Sequence, residues 1–240
     1  MYTVKVADAN DDPVIQTTGV PYTVAENSQV GSQVLPVIRG LDEDAGQKLT
    51  FEIVSQPASA PLAITKNDDA SAYLTVQNPG VVNYESIEEF DVTVKVKDDG
   101  VPSASSTLAI KVKVTDVNEK PSITPGQSLS VDENTAVATV LAHQFTATDP
   151  DTKNAAFRQL SWQIVSCKDA SRPLINITCP FDSTMRDGRL MIINPINYEE
   201  GITAYELQAT VSDISLTSTL ETIQITINDL PEDPTIKGGQ

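Results

Sequence analysis

The sequence predicts an all-β protein made of two tandem Greek-key β-sandwiches. Four segments alternate apolar and polar residues, which is typical of strands half-buried in a sheet: residues 90–96, 108–114, 205–211 and 223–227. Fifteen prolines and eleven glycines punctuate the chain, and no apolar stripe of helical period extends through it. Several short strands separated by turns within each domain-sized stretch are typical of a sandwich.

The chain repeats itself at domain length. Three segments each contain an alternating run, an acidic cluster, a proline and an isoleucine: residues 4–15 (VKVADANDDPVI), 112–123 (VKVTDVNEKPSI) and 225–236 (ITINDLPEDPTI). Their matching aspartates, Asp8, Asp116 and Asp229, lie 108 and 113 residues apart. A repeat of this length is a whole domain and not one turn of a solenoid.

The charge balance excludes several classes of partner. The 240 residues include 33 acidic and 16 basic side chains, a formal net charge of −17. Nucleic acids and anionic membrane surfaces both require clustered lysine and arginine, so we expect neither as a partner. The sequence has no apolar stretch long enough for a membrane span and no apolar signal core at its N-terminus. Surplus carboxylates suit hard cations or a solvated surface.

Catalytic chemistry has few candidates in this chain. The single histidine, His143, and two cysteines provide too few ligands for a zinc site of the Cys/His type. A nucleophile activated by histidine would have to be built around His143. The carboxylates have no second catalytic group at a defined spacing. We therefore predict that the chain is not an enzyme and takes no small-molecule substrate.

The acidic residues recur in the same order in both copies. Glu26 matches Glu133, Asp42 and Asp44 match Asp149 and Asp151, Glu85 matches Glu199, and Asp98 matches Asp213. Because a sandwich exposes loops at both ends, we expect loops of both copies to meet at the linker. The expected cluster comprises Glu26, Glu85, Asp116, Glu119, Asp149, Asp151 and Asp213. Such carboxylates repel one another, and calcium, which accepts six to eight oxygen ligands, suits them better than magnesium.

The ordered motifs AEN, DED, NYE, DDG and DxNDx resemble those of the cadherin extracellular repeat and cover almost the whole chain. The resemblance implies tandem seven-stranded sandwiches of immunoglobulin-like topology, from a long, non-strand-swapping cadherin or protocadherin-like protein. The expected repeats are residues 13–120 and 121–233. Residues 1–12 are then the last strand and linker of an upstream repeat, and residues 234–240 begin the next linker or a tail.

The resemblance also implies about three calcium ions at the middle junction. The expected side-chain ligands are Glu26, Glu85, Asp116, Asn118, Glu119, Asp149, Asp151 and Asp213, with backbone carbonyls from Val117 and Lys120. Three positions depart from the family pattern, because Asn83 and Glu119 stand where aspartate is usual and Lys120 where asparagine is usual. Fewer ligand charges lower calcium affinity, so the outer site, formed by Glu26, Asn83, Glu85 and Glu119, should be the weakest.

Each end of the chain has part of a similar site. At the N-terminal edge, one further ion is expected from Asn10, the carbonyl of Asp12, Asp42, Asp44 and Asp98. At the C-terminal edge Glu133 and Glu199 remain, but Pro231 stands where the linker asparagine is expected. The prediction therefore includes no calcium ion at the C-terminal edge.

Four features of the second copy lie outside the acidic motifs. Cys167 and Cys179 are absent from the first copy, and either a disulfide or two reduced buried thiols would explain them. An N-glycosylation sequence, Asn176-Ile177-Thr178, falls between them. Trp162 lies within an alternating run and is expected in the core or half-buried on a strand. Tyr198, like Tyr84 in the first copy, is expected to pack beside the following glutamate.

The sequence therefore predicts an extracellular fragment of a membrane-anchored cell–cell adhesion protein. Calcium would provide rigidity and spacing between its repeats, and other cadherin ectodomains are the expected partners. Two alternatives remain open. The repeats could themselves form a homophilic or heterophilic adhesive interface, or they could be modules of a secreted adhesin.

Overall fold

The computed structural model describes residues 2–16, 18–185 and 187–232. The chain divides into two compact units, Met1–Val117 and Asn118–Gln240. Apart from two single turns of 3-10 helix, Pro79–Val81 and Tyr198–Glu200, the regular structure in these ranges is β. No helix in the described ranges is long and apolar enough to span a membrane.

The first unit is a sandwich of eight described strands. They are β1 (Val14–Gln16), β2 (Tyr22–Ala25), β3 (Gln33–Leu41), β4 (Thr50–Ser55), β5 (Leu62–Asp68), β6 (Ser71–Val76), β7 (Glu89–Lys97) and β8 (Ser105–Thr115). One sheet has the order β1–β3–β6–β5 and the other β2–β8–β7–β4, with β2 also paired to β3. The expected count of seven becomes eight because the first strand is split. Gly19, with a positive φ of 68°, and Pro21 interrupt it, so β1 joins β3 and β2 joins β8.

The core of the first unit follows the alternation seen in the sequence. Along β7, Phe90, Val92, Val94 and Val96 are buried, whereas the residues between them are exposed or half-buried. Phe90, Val92 and Val94 pack with buried residues of β2, β3, β6 and β8. Tyr84 packs partly against this core, as expected. The period of two thus places one face of each strand inside the sandwich.

The second unit is a sandwich with one regular sheet and one fragmented sheet. Its described strands are β9 (Ser122–Ile123), β10 (Ser128–Asp132), β11 (Ala147–Thr148), β12 (Ser161–Asp169), β13 (Thr184–Met185), β14 (Ala204–Ser212) and β15 (Glu221–Asn228). The regular sheet has the order β10–β15–β14–β12–β13, and β9 pairs with β11. Isolated bridges join Val140 to Met191 and Phe181 to Ile192. Trp162 is buried against Met185, which confirms the expected core position, and Tyr198 packs partly on the same core.

The N-terminal segment differs from its sequence expectation. The alternation of Tyr2, Val4 and Val6 predicts a strand, yet residues 2–12 form none and these three side chains are exposed. A strand requires ladder partners for its backbone groups. In the described ranges, no strand pairs with residues 2–12.

Cys167 and Cys179 form a disulfide, which decides between the two alternatives left open by the sequence. Cys167 lies on β12, and both cysteines pack partly against the core of the second unit. The bond therefore closes a loop at the edge of a folded core.

Replacing both cysteines by serine should lower the free energy of unfolding of the second unit by about 3 kcal/mol. The bond closes a short loop of sequence separation 12 and so restricts the conformations of the unfolded chain. Removing the bond restores conformational entropy to the unfolded state, which becomes more favourable. Urea unfolding followed by the fluorescence of Trp162, the only tryptophan, would measure the loss. Reduced wild-type protein should match the double variant, whereas an unchanged midpoint would contradict the prediction.

Candidate metal centre

Glu26 holds the C-terminal end of the first unit together. Its side chain is only 2% exposed. Oε1 accepts a hydrogen bond from the backbone N–H of Val117 at 2.8 Å, and Oε2 accepts one from Tyr84 at 2.8 Å. These bonds tie the end of β8 to the segment that carries Glu85. The carboxylates of Glu26, Glu85 and Asp116 consequently offer oxygens within 4.8 Å of one another.

Glu85 is the least satisfied member of this group. Neither of its carboxylate oxygens receives a hydrogen bond from the described part of the chain, and both are buried. Burial, together with the negative charges of Glu26 and Asp116, raises the pKa of Glu85 to about 7, against a lowering contribution from its own nearby backbone N–H. Three clustered carboxylates, with no hydrogen-bond donor on either oxygen of Glu85, fit a hard cation such as calcium, which would supply positive charge beside them.

Without calcium, the first unit should lose stability as the pH rises from about 4.5 to about 7. In this window the folded chain keeps a proton on Glu85 that the unfolded chain has released, so the folded state binds more protons. Thermal unfolding in chelator at pH 5 and pH 7.5 would test this. Glu85→Gln should remove most of the slope, and an equal slope in that variant would contradict the prediction.

In the first unit we call Glu26 and the two backbone N–H groups bonded to it a clasp. The second unit contains an equivalent clasp at its C-terminal end, formed by Glu133. Glu133 is 1% exposed. It accepts hydrogen bonds from the backbone N–H groups of Leu230 at 2.7 Å and Tyr198 at 2.8 Å, and these two bonds lower its pKa. Glu199 and Glu232 bring oxygens within 4.8 Å of Glu133. The pKa of Glu199 is raised, because burial and the charges of Glu133 and Glu232 outweigh its own backbone N–H.

Glu232 was not among the residues predicted as ligands. The signal that could have found it is the linker register, because Glu232 follows Asp229 by three residues as Glu119 follows Asp116. The match is incomplete, because Pro231 stands where the linker asparagine is expected. The structure gives the second clasp three glutamates instead of two.

The N-terminal end of the first unit gathers Asn10, Asp42, Asp44 and Asp98. Asn10 Nδ2 donates to Asp98 Oδ2 at 3.0 Å, and the backbone N–H of Asp11 donates to Asp44 Oδ2 at 2.8 Å. Asp44 in turn donates its backbone N–H to Asp42 Oδ1 at 2.9 Å. Burial alone would raise the pKa of Asp98, but bonds from Ala104, Asn10 and Gly100 outweigh it and lower the value.

The N-terminal end of the second unit repeats this hydrogen-bond pattern at the matching positions. Asn118 Nδ2 donates to Asp213 Oδ2 at 3.1 Å, the backbone N–H of Glu119 donates to Asp151 Oδ2 at 2.8 Å, and that of Asp151 donates to Asp149 Oδ1 at 3.0 Å. Asp213 is held by backbone N–H groups of the following turn, which lower its pKa despite burial. Backbone donors thus fix one oxygen of each aspartate.

The two N-terminal ends differ at the asparagine. Asn118 Oδ1 receives no hydrogen bond from the described residues, and the same is true of Asp149 Oδ2. Asn10 Oδ1 instead accepts a bond from Gln47 Nε2 at 2.6 Å. Asn118 Oδ1 is therefore available to a cation. Asn10 Oδ1 would become available only if the side chain of Gln47 moved away from it. The first unit has the poorer ligand set at this end.

The remaining predicted ligands are placed as follows. Asn83 Oδ1 accepts the backbone N–H of Ser86 at 2.8 Å, so this side chain caps a turn. Asp12 and Lys120 are exposed. Glu26, Asn83, Glu85, Asp116 and Val117 belong to the first unit, whereas Asn118, Glu119, Lys120, Asp149, Asp151 and Asp213 belong to the second.

Comparison with known proteins agrees with this geometry. The family described as "Cadherin domain" matches residues 21–115, which contain the clasp of Glu26. Human protocadherin gamma-C3 is 27% identical over 216 residues, which cover 88% of this chain and 22% of that protein. Residues 21–115 belong to the cadherin domain family. The chain spans about a fifth of the length of protocadherin gamma-C3, and the relative covers both units.

Solved structures of cadherins have the same fold. The extracellular cadherin domains 1–5 of protocadherin gamma B2 match with a TM-score of 0.69 and 22% identity, covering 95% of this chain and 42% of that one. A structure of a protocadherin gamma B7 EC3-6 cis-dimer matches with a TM-score of 0.63 and 21% identity, covering 91% and 51%. The units are thus cadherin repeats of the kind found in protocadherin-type adhesion proteins. Cadherin domains bind calcium as a family, and the family serves adhesion and not catalysis.

Proposed function

We propose that this chain is an extracellular, calcium-clamped pair of cadherin repeats that provides rigidity and spacing in a membrane-anchored cell–cell adhesion protein. The observation that carries the proposal is the duplicated hydrogen-bond pattern. In both units, backbone N–H groups fix both oxygens of the buried glutamate at one end of the sandwich and one oxygen of each paired aspartate at the other end. The oxygens left over, such as both on Glu85, suit calcium as ligands.

The clamp follows from chain connectivity. Asp116 ends the ligand set of the first repeat, and Asn118 begins that of the second, with only Val117 between them. Calcium supplies positive charge that neutralises the carboxylates of both sets. Each repeat then holds its ligands in place through buried residues, so bending of the linker would break coordination. Free calcium at about one hundred times Kd would stabilise the clamped state by about 2.7 kcal/mol.

Isothermal titration of chelated protein with calcium tests the proposal. We expect about three ions at the middle junction, one further and weaker ion at the N-terminal edge, and the weakest of the junction ions at the outer site near Asn83. Asp149→Asn keeps the oxygen that accepts the Asp151 N–H and removes one charge, so it should weaken binding about tenfold or more. Asp91→Asn, on an exposed strand position, is the matched control. A flat titration of the wild type would reject the proposal.

An adhesive role for these two repeats is the second candidate. It is favoured by the similarity to a protocadherin gamma B7 fragment whose structure is a cis-dimer. On this alternative the partner is another cadherin ectodomain, either a second copy or a different cadherin. Sedimentation over a range of concentrations in calcium separates the candidates, because a spacer stays monomeric and a homophilic interface gives a dimer that grows with concentration.

A further inference from the structure

We infer that Asn176 accepts an N-linked glycan that covers the apolar tip of the loop closed by Cys167 and Cys179. Asn176-Ile177-Thr178 is the only Asn-X-Ser/Thr sequence in the chain. The inference rests on the extracellular placement in the proposed function, because only a secreted chain meets the glycosyl transferase.

The acceptor sequence is presented to solvent. Asn176 and Thr178 are exposed, whereas Ile177 packs partly against the core of the second unit. The two side chains that the transferase must recognise are therefore in contact with solvent, while the residue between them holds the segment against the protein.

The loop around the acceptor is anchored before it by Asp169 and Arg172 and after it by the disulfide of Cys179, but not at the acceptor itself. The buried carboxylate of Asp169 accepts bonds from the backbone N–H of Ser171 at 2.8 Å and from Arg172 Nε at 2.7 Å. Arg172 Nη2 reaches the carbonyl of Gly201 at 2.9 Å. In the described ranges, no hydrogen bond holds residues 176–178. This segment can therefore bend into a transferase active site without breaking the sandwich.

An uncovered apolar surface lies beside the acceptor. Leu174 is 98% exposed and Ile175 is 50% exposed, directly before Asn176. The anchors on Asp169 and Arg172 keep this tip in place, and the bond from the Ile175 N–H to the Arg172 carbonyl, at 3.0 Å, closes its turn. A bulky hydrophilic glycan one residue further on would shield both side chains from other molecules.

The chemistry is a group transfer without oxidation or reduction. The donor class is an oligosaccharide linked to a lipid diphosphate. The bond from Asn176 Nδ2 to C1 of the first sugar forms as the bond from C1 to the diphosphate oxygen breaks. The lipid diphosphate leaves, and one proton of the amide nitrogen passes to a base of the transferase.

The test is secretion of the full chain, behind a signal peptide, from cultured animal cells. The loop peptide should carry a glycan, and release by peptide N-glycosidase in heavy-oxygen water should convert Asn176 to a labelled aspartate. Asn176→Gln and Thr178→Ala should abolish the modification, whereas Thr178→Ser should keep it. Folded, secreted chain with unmodified Asn176 would overturn the inference.

Whether the glycan shields Leu174 and Ile175 is tested separately, by measuring self-association. Secreted wild type should sediment as a monomer, Asn176→Gln should self-associate with rising concentration, and Asn176→Gln/Leu174→Ser should return to monomer. Glycosylated wild type and Asn176→Gln that sediment identically would overturn the shielding. Calcium titration of unglycosylated chain from bacteria is independent of both readouts, so failure of the glycan and failure of the proposed function are distinguishable.

Discussion

Glu26→Ala should destabilise the first unit by about 2–6 kcal/mol and abolish most calcium binding. The substitution leaves the backbone N–H groups of Val117 and Tyr84 without their acceptor, and each unsatisfied donor costs about 1–3 kcal/mol. It also removes the buried carboxylate that lies within 4.8 Å of Glu85 and Asp116. Calorimetric unfolding in chelator measures the first effect, and calcium titration measures the second.

Two further variants separate the structural effect of Glu26 from its effect on calcium. Glu133→Ala breaks the equivalent clasp of the second unit and should cause a similar loss of stability there in chelator. Asp91→Ala removes one negative charge from an exposed position on β7 and should change neither quantity by more than about 0.5 kcal/mol. Full calcium binding by Glu26→Ala would show that the clasp is only structural.

Glu85→Gln should have opposite effects on stability with and without calcium. In chelator at pH 7.5 the variant removes a carboxylate that has no hydrogen-bond donor and lies beside Glu26 and Asp116, so the melting temperature should rise by about 2–4 °C. In saturating calcium it removes a charged ligand, so the melting temperature should fall below that of the wild type. When the melting temperatures of the variant and the wild type are plotted against calcium concentration, the two curves should therefore cross.

A change of sign is difficult to produce by general destabilisation, which lowers both melting temperatures together. Glu52→Gln is the matched control, because it makes the same substitution at an exposed carboxylate on β4 that pairs with Lys95. It should shift neither curve by more than about 1–2 °C. If Glu85→Gln lowers the melting temperature equally in both conditions, Glu85 is a packing residue and not a ligand.

The sequence predicted the fold well because strand alternation and the domain-length repeat can both be read without knowing which strands pair with each other. The alternation of residues 90–96 became β7, and its buried face lies in the core. The split of the first strand into β1 and β2 was not predicted, since it depends on which sheet each half joins. The alternation of residues 2–7 predicted a strand that did not form, because pairing requires a neighbour that the pattern does not supply.

The candidate site was predictable in its members and less so in their roles. The ordered acidic motifs indicated which side chains gather at each end. They did not show that Asn83 caps a turn or that Gln47 occupies the oxygen of Asn10, because both depend on contacts made after folding. The motif did not indicate Glu232, because Pro231 breaks the linker pattern just before it. Which residues bind calcium remains a prediction.

The most direct test of the calcium clamp is the distribution of distances between the two repeats. Spin labels on cysteines introduced at Thr65 and Gln224, both exposed, would report it by pulsed electron paramagnetic resonance, because the native cysteines are bonded to each other. The clamp predicts a narrow distribution in calcium and a broad one in chelator, with Glu26→Ala broad in both. Equal widths in calcium and chelator for the wild type would contradict the proposed function.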